Sequence, residues 1–176
     1  MDKSELLTLC RTYLATTLYI YSMHISTGTI LTSTSSLDGS IFEQSIICIT
    51  EKNEQGAIGF VINKLFPQTL NQLEEFKHSL PFPLYNGGPV ATESLFFIHC
   101  KPNLIEEGTS IINGIYVGGN FKQAVYHINQ KNIQAKDIKL FIGYCGWDAG
   151  ELEEEMAEGS WGIVNAAKET IFSSTI

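Results

Sequence analysis

The sequence is short of positive charge. It has 11 basic side chains against 19 carboxylates, giving a formal net charge of −8, and a single arginine, Arg11. A nucleic-acid-binding surface needs clustered Lys and Arg to displace counterions from phosphate. No segment supplies such a cluster, so direct nucleic-acid binding is not expected. Long apolar runs are also missing. Residues 12–37 carry no Asp, Glu, Lys or Arg, but nearly half of them are Ser or Thr and Gly28 interrupts them. A span of about 20 predominantly apolar residues is therefore absent from this stretch. Glu5 and Arg11 fall where the apolar core of a secretory signal should lie, and the reading is a cytoplasmic protein without membrane association. The four cysteines, Cys10, Cys48, Cys100 and Cys145, form no C-x-x-C pair and no dense framework, which leaves out zinc ribbons, dithiol exchange and a disulfide scaffold.

What is present describes one ordinary domain. A chain of 176 residues with 44% apolar side chains can bury roughly 70% of the surface it exposes when unfolded. Short apolar runs read as strands at Thr29–Ser33, Ser45–Glu51, Ala57–Asn63, Leu95–His99, Ile115–Val117, Ile138–Tyr144 and Ser160–Val164. The second and third flank the polar loop Lys52–Gly56, as in a β-hairpin with Gly56 at positive φ, and their unbroken apolar character predicts cover on both faces. A capping box, Thr69 with Gln72, opens a predicted helix over Leu70–His78. Phe121, Ala124, Val125 and Ile128 make the stripe of a second helix with Asn120 as its N-cap. A third is expected after Asp148, capped by that residue and ended by Gly159, and an amphipathic helix is expected in the first 20 residues. Strands punctuated by isolated helices, without a βαβ rhythm, point to a mixed-sheet α+β or α/β domain.

The stretch Gly143-Tyr-Cys-Gly-Trp147 carries the most chemical possibilities. Cys145 between two glycines could be a nucleophile on a sharp turn, and His99, ending an apolar strand, is the best placed of four histidines to serve as its base. A glycine-rich turn before a helix could also cradle phosphate, but Glu151, Glu153, Glu154 and Glu155 crowd that helix start and would repel an anion. The structural alternative is a tight crossover with Trp147 packed over the turn. Asn86-Gly-Gly-Pro-Val90 and Gly118-Gly119 read as further positive-φ turns. The acidic run 151–158 lacks the loop pattern of a calcium site, so neither a metal nor a cofactor is expected.

Taken in order, several blocks resemble the bacterial YqgE/AlgH family: Gly28-Thr-Ile-Leu31, Ser36-Leu-Asp38, Phe42–Ile46, Gly56–Lys64, Gly87-Gly-Pro-Val90, Leu95–His99, Gly114-Ile-Tyr116 and Gly143–Trp147 with Glu151-Leu-Glu153. Three positions depart from the family habit: Ser35 replaces a proline, Lys64 an arginine, and Cys145 an alanine or serine. The resemblance implies a single domain with a family core at 28–164, a helical extension at 1–27 and a tail at 165–176. It further implies an α+β fold whose mixed, largely antiparallel sheet forms a partly closed, barrel-like body with flanking helices. No enzymatic activity is implied, and one branch of the family is labelled as a transcriptional regulator. The function expected is non-catalytic binding or regulation. The alternatives are transcriptional regulation through protein partners and a cysteine-dependent hydrolase or transferase using Cys145. The expected surface comprises Asn63, Lys64, Gly87, Gly88, Pro89, Tyr144, Gly146 and Trp147. Its partner would be a protein or a small neutral or cationic ligand, and self-association is a further possibility.

Overall fold

The computed structural model describes residues 25–112, 114–164 and 168–172. The helix expected in the first 20 residues lies outside them.

The strands are β1 (Ile30–Ser33), β2 (Ile46–Asn53), β3 (Gly56–Val61), β4 (Leu65–Thr69), β5 (Pro83–Asn86), β6 (Val90–His99), β7 (Thr109–Ile112), β8 (Ile115–Val117), β9 (Ile138–Asp148) and β10 (Trp161–Val164). Among the described residues, three α-helices accompany them: α1 (Phe121–Asn129), α2 (Glu151–Ala157) and α3 (Lys168–Phe172). The main path of the sheet runs β10-β1-β2-β3-β9-β6-β8-β7, with β5 also on β9 and β4 on β5. Every pairing is antiparallel except β5 with β9. The domain is thus α+β with a mixed, largely antiparallel sheet.

The partly closed barrel is not formed. The path ends at β10 and β7, which do not pair with each other, and the sheet forks at β9. Gly59 and Ala57 of β3 align with Cys145 and Trp147, whereas Leu84 to Asn86 of β5 align with Leu140 to Ile142. One flank of β9 thereby serves two different strands, and the continuous stagger that closes a barrel is interrupted. The two wings still share a core. Ile30, Cys48 and Phe60 from one wing are buried in the same cluster as Tyr85, Ile98, Ile115 and Phe141 from the other. Phe60 stacks on Phe141 at 4.8 Å between ring centroids. The outer faces are covered separately, by α2 through Leu152 and Met156 and by α1 through Ala124 and Ile128.

The expected hairpin forms, with Glu54-Gln55 as its loop and Gly56 at φ 141°. Asn120 caps α1, its Oδ1 accepting from the Gln123 N–H at 3.2 Å. The helix expected over Leu70–His78 is instead a pair of 3-10 turns, Leu70–Gln72 and Glu74–Phe76, broken by Leu73 in an extended conformation. The capping box is nonetheless present at Thr69 and Gln72. With Leu70 fully buried and Leu73 and Phe76 half-buried, packing against the sheet outweighs a weak helical propensity. At α2 the N-cap is Gly150 at φ 87°, not Asp148; Asp148 instead donates its backbone N–H to Glu151 at 2.9 Å.

Candidate functional site

The site begins where the chain crosses β9. Gly87 donates its N–H to Ile142 O at 2.8 Å, continuing the parallel ladder, and accepts from Val61 N at 2.9 Å. Three residues later Val90 pairs with Tyr144 on the opposite flank of β9. The intervening backbone therefore lies across the face of β9 at Gly143. A Cβ on Gly143 would meet Gly88 O at 2.4 Å, and one on Gly87 would meet Gly143 O at 2.3 Å. One on Gly88 would meet the Tyr144 carbonyl at 2.3 Å. All three contacts are backbone on backbone, so these glycines are required by close approach rather than by a ligand.

Beside the crossing, Asn63 and Lys64 fasten the loop that precedes β2. Asn63 Oδ1 accepts from Ile46 N at 2.9 Å and its Nδ2 donates to Gln44 O at 2.8 Å. Gln44 is held at φ 52°, a conformation that side-chain tethering of this kind sustains. Lys64 Nζ donates to Ile41 O at 2.8 Å. A cavity of about 220 Å³ opens between this loop and the crossing, lined by Ile41, Phe42, Val61, Lys64, Asn86, Gly88, Pro89 and Thr92. Ile41 is 67% exposed.

The rest of the expected surface lies elsewhere. Trp147 pairs with Ala57, so about 20 Å of β3 separates it from Asn63 at ~3.3 Å per residue. Its ring is buried, and its Nε1–H donates to Glu155 Oε2 at 2.8 Å. Trp161 donates to the same oxygen at 2.6 Å. A single carboxylate of α2 thus satisfies two buried indoles. Tyr144 is half-buried with its ring edge-on to Phe96, and Gly146 is exposed.

Cys145 and His99 are not brought together. His99 pairs with Ile138, seven residues from Cys145 along β9, a separation of about 23 Å. The Cys145 thiol donates to Gly87 O at 3.4 Å, and burial pushes it up to about 12. A thiol so protonated is a poor nucleophile. His99 is fully buried and stacked on Tyr116; its Nδ1 accepts from Lys101 N at 3.2 Å. Burial lowers its pKa against the opposing pull of the Gly118 carbonyl.

Sequence reasoning missed Lys139. Its side chain is 1% exposed, with Nζ donating to Ile62 O at 2.6 Å and lying 4.3 Å from the centre of the Tyr85 ring. Burial lowers its pKa to about 8. The signal was there: a lone charge inside the apolar run Ile138–Ile142 of a strand covered on both faces. Among the described residues no group of three or more His, Cys, Asp or Glu is placed to hold a metal, and no helix is long and apolar enough to cross a membrane.

Comparison with known proteins places this arrangement. The family model described as AlgH-like matches residues 30–176. The chain belongs to the AlgH-like family. A UPF0301 protein of Chlorobium phaeobacteroides is 34% identical over 149 residues, covering 85% of this chain and 80% of that one. A UPF0301 protein of Bacteroides thetaiotaomicron is 36% identical over 137 residues, covering 77% and 69%. The solution structure of the AlgH protein from Pseudomonas aeruginosa superposes with a TM-score of 0.66 at 27% identity, over 84% of this chain and 80% of that one. A crystal structure of a Corynebacterium diphtheriae protein shares the AlgH-like fold, with a TM-score of 0.70 at 20% identity over 85% and 81% of the two chains.

Proposed function

We propose that the chain is a non-catalytic binding domain of the cytoplasm, with a regulatory role exerted through a protein partner. The observation that carries this reading is the cavity of about 220 Å³ beside the crossing, where Lys64, Gly88 and Pro89 meet the exposed Ile41. An apolar lip beside a recess with few polar groups suits an inserted apolar side chain of a protein segment. The crossing supplies a rigid floor, since its backbone contacts leave no room for adjustment. Regulation through protein contact fits the charge balance better than direct DNA binding does. The cysteine-dependent alternative has the weaker support, because the Cys145 thiol is buried and its candidate base, His99 on neighbouring β6, lies opposite Ile138, seven residues along β9 from Cys145.

The test is an Ile41→Asp variant of the full chain. Ile41 is exposed, so its unfolding midpoint should match that of the wild type within about 0.5 kcal/mol. Affinity capture from a bacterial lysate should then lose the proteins that the wild type retains. An unchanged set of captured proteins would remove this surface from consideration.

A further inference from the structure

A second, larger cavity adjoins the first at Thr92 and goes beyond the function proposed above. Between Val90, which pairs with Tyr144, and Leu95, which pairs with Ile142, four residues of β6 face the single residue Gly143. The surplus lifts Ala91–Ser94 off β9 as a bulge, with Ala91 at φ 50°. Behind the bulge is a cavity of about 460 Å³. Its floor is apolar: Leu73, Phe76, Leu95, Phe121 and Ile142, with Phe76 and Phe121 in an edge-to-face pair at 5.5 Å. This size lies within the range of about 300–1,000 Å³ typical of small-molecule sites.

The rim carries three carboxylates, Glu74, Glu75 and Glu93, drawn from two separate elements, the 3-10 turn and the bulge. Glu74 is paired with Lys77 at 2.5 Å. Among the described residues, no Lys, Arg or His lies within 4.0 Å of the carboxylate of Glu75 or Glu93. Two uncompensated negative charges at the mouth of an aromatic pocket set the chemistry of what enters. An anion is repelled, a neutral apolar molecule gains only burial, and an ammonium on an apolar body gains burial, charge pairing at the rim and the faces of Phe76 and Phe121. A second copy of the chain, itself at −8, meets electrostatic opposition here.

We infer that this cavity is a binding site for a small organic cation with an apolar body, an arylalkyl or alkyl amine, held by the aromatic floor and by Glu75 and Glu93. The bulge couples it to the first cavity, since Thr92 lines both. The two sites can nonetheless be tested apart, because Ile41 belongs to the first and Glu75 to the second.

Three probes with one body decide the question: 4-phenylbutylammonium, 4-phenylbutan-1-ol and 4-phenylbutyrate, each titrated into the full chain and followed by methyl and aromatic NMR shifts. The ammonium should saturate with shifts centred on Leu73, Leu95 and Ile142. It should bind about 5-fold or more tighter than the alcohol, and the butyrate should not saturate. Combining Glu75→Gln with Glu93→Gln, both on exposed side chains, should bring the ammonium down to the alcohol's affinity without moving the unfolding midpoint. Equal affinity of all three probes, shifts centred elsewhere, no saturation by the ammonium at 10 mM, or an unchanged ammonium affinity in the double variant would each overturn the proposal.

Discussion

The two halves of β9 are one continuous strand with opposite environments. From Ile138 to Gly143 every residue is buried; from Tyr144 to Asp148 burial alternates, with Cys145 and Trp147 inward and Gly146 and Asp148 exposed. The first half has β5 and β6 on its flanks, the α1 cluster against Ile138, Leu140 and Ile142, and Phe60 and Tyr85 against Phe141. The second half has β3 on one flank and the α2 cluster on one face only. A strand covered twice reads as continuously apolar, and one covered once alternates. The glycine-rich motif Gly143–Trp147 straddles the change, so its two glycines do different work. Gly143 admits a crossing backbone, whereas Gly146 faces solvent.

That contrast can be broken most severely at Gly143. In Gly143→Ala the new methyl meets the Gly88 carbonyl oxygen at 2.4 Å, from a backbone held at φ 71°. Either the soluble yield collapses or the denaturant midpoint falls by the equivalent of about 4 kcal/mol or more. A variant of near wild-type stability would show that the crossing is loose. A smaller effect belongs to Lys139, in the doubly covered half. Its proton leaves the folded chain at about 8 and the unfolded chain at 10.5, so at this group the unfolded state holds more protons in between and its contribution to stability rises with pH, by about 2 kcal/mol between pH 8 and 10. The buried thiols of Cys48 and Cys145, raised from 9.0 to about 12, lose stability over the same window, and the Tyr85 phenol, raised from 10.0 by burial, adds to that loss above pH 10. The lysine is therefore read as a difference: in urea titrations, the stability of wild type relative to Lys139→Met should rise by about 2 kcal/mol from pH 8 to pH 10, and a difference that stays constant would overturn the assignment. The smallest effect is at Gly146, where an added methyl meets only the Tyr144 ring at 3.3 Å. Gly146→Ala should stay within about 0.5 kcal/mol of wild type, and a loss comparable to that at Gly143 would erase the distinction between the halves.

Much of this architecture was legible in the sequence because its signals are local. The central hairpin, α1 with its Asn120 cap, and the β-character of 138–144 follow from periodicity, turn chemistry and caps. β4, β5 and β7 escaped notice: Leu65–Thr69 contains Pro67, and the other two are four residues each. All three owe their strand conformation to partners distant in sequence. The open sheet has the same origin, since nothing local records that β9 offers one flank to two strands. Around the site, Lys64, Gly88 and Pro89 do gather at one cavity. Trp147 does not join them, because adjacency in a list of motifs carries no information about position along a strand. The larger cavity was invisible for a related reason: the surplus of three residues in β6 exists only relative to its register with β9.

The carboxylate shared by two indoles has a practical consequence. The chain has two tryptophans, and both donate to Glu155 Oε2. Their rings stand edge-to-face with centroids 6.2 Å apart. Intrinsic fluorescence from this protein is accordingly a gauge of one small region, the seat of α2 on β9 and β10. An emission change on ligand addition speaks for that seat, and a ligand that fills either cavity without disturbing it can bind in optical silence.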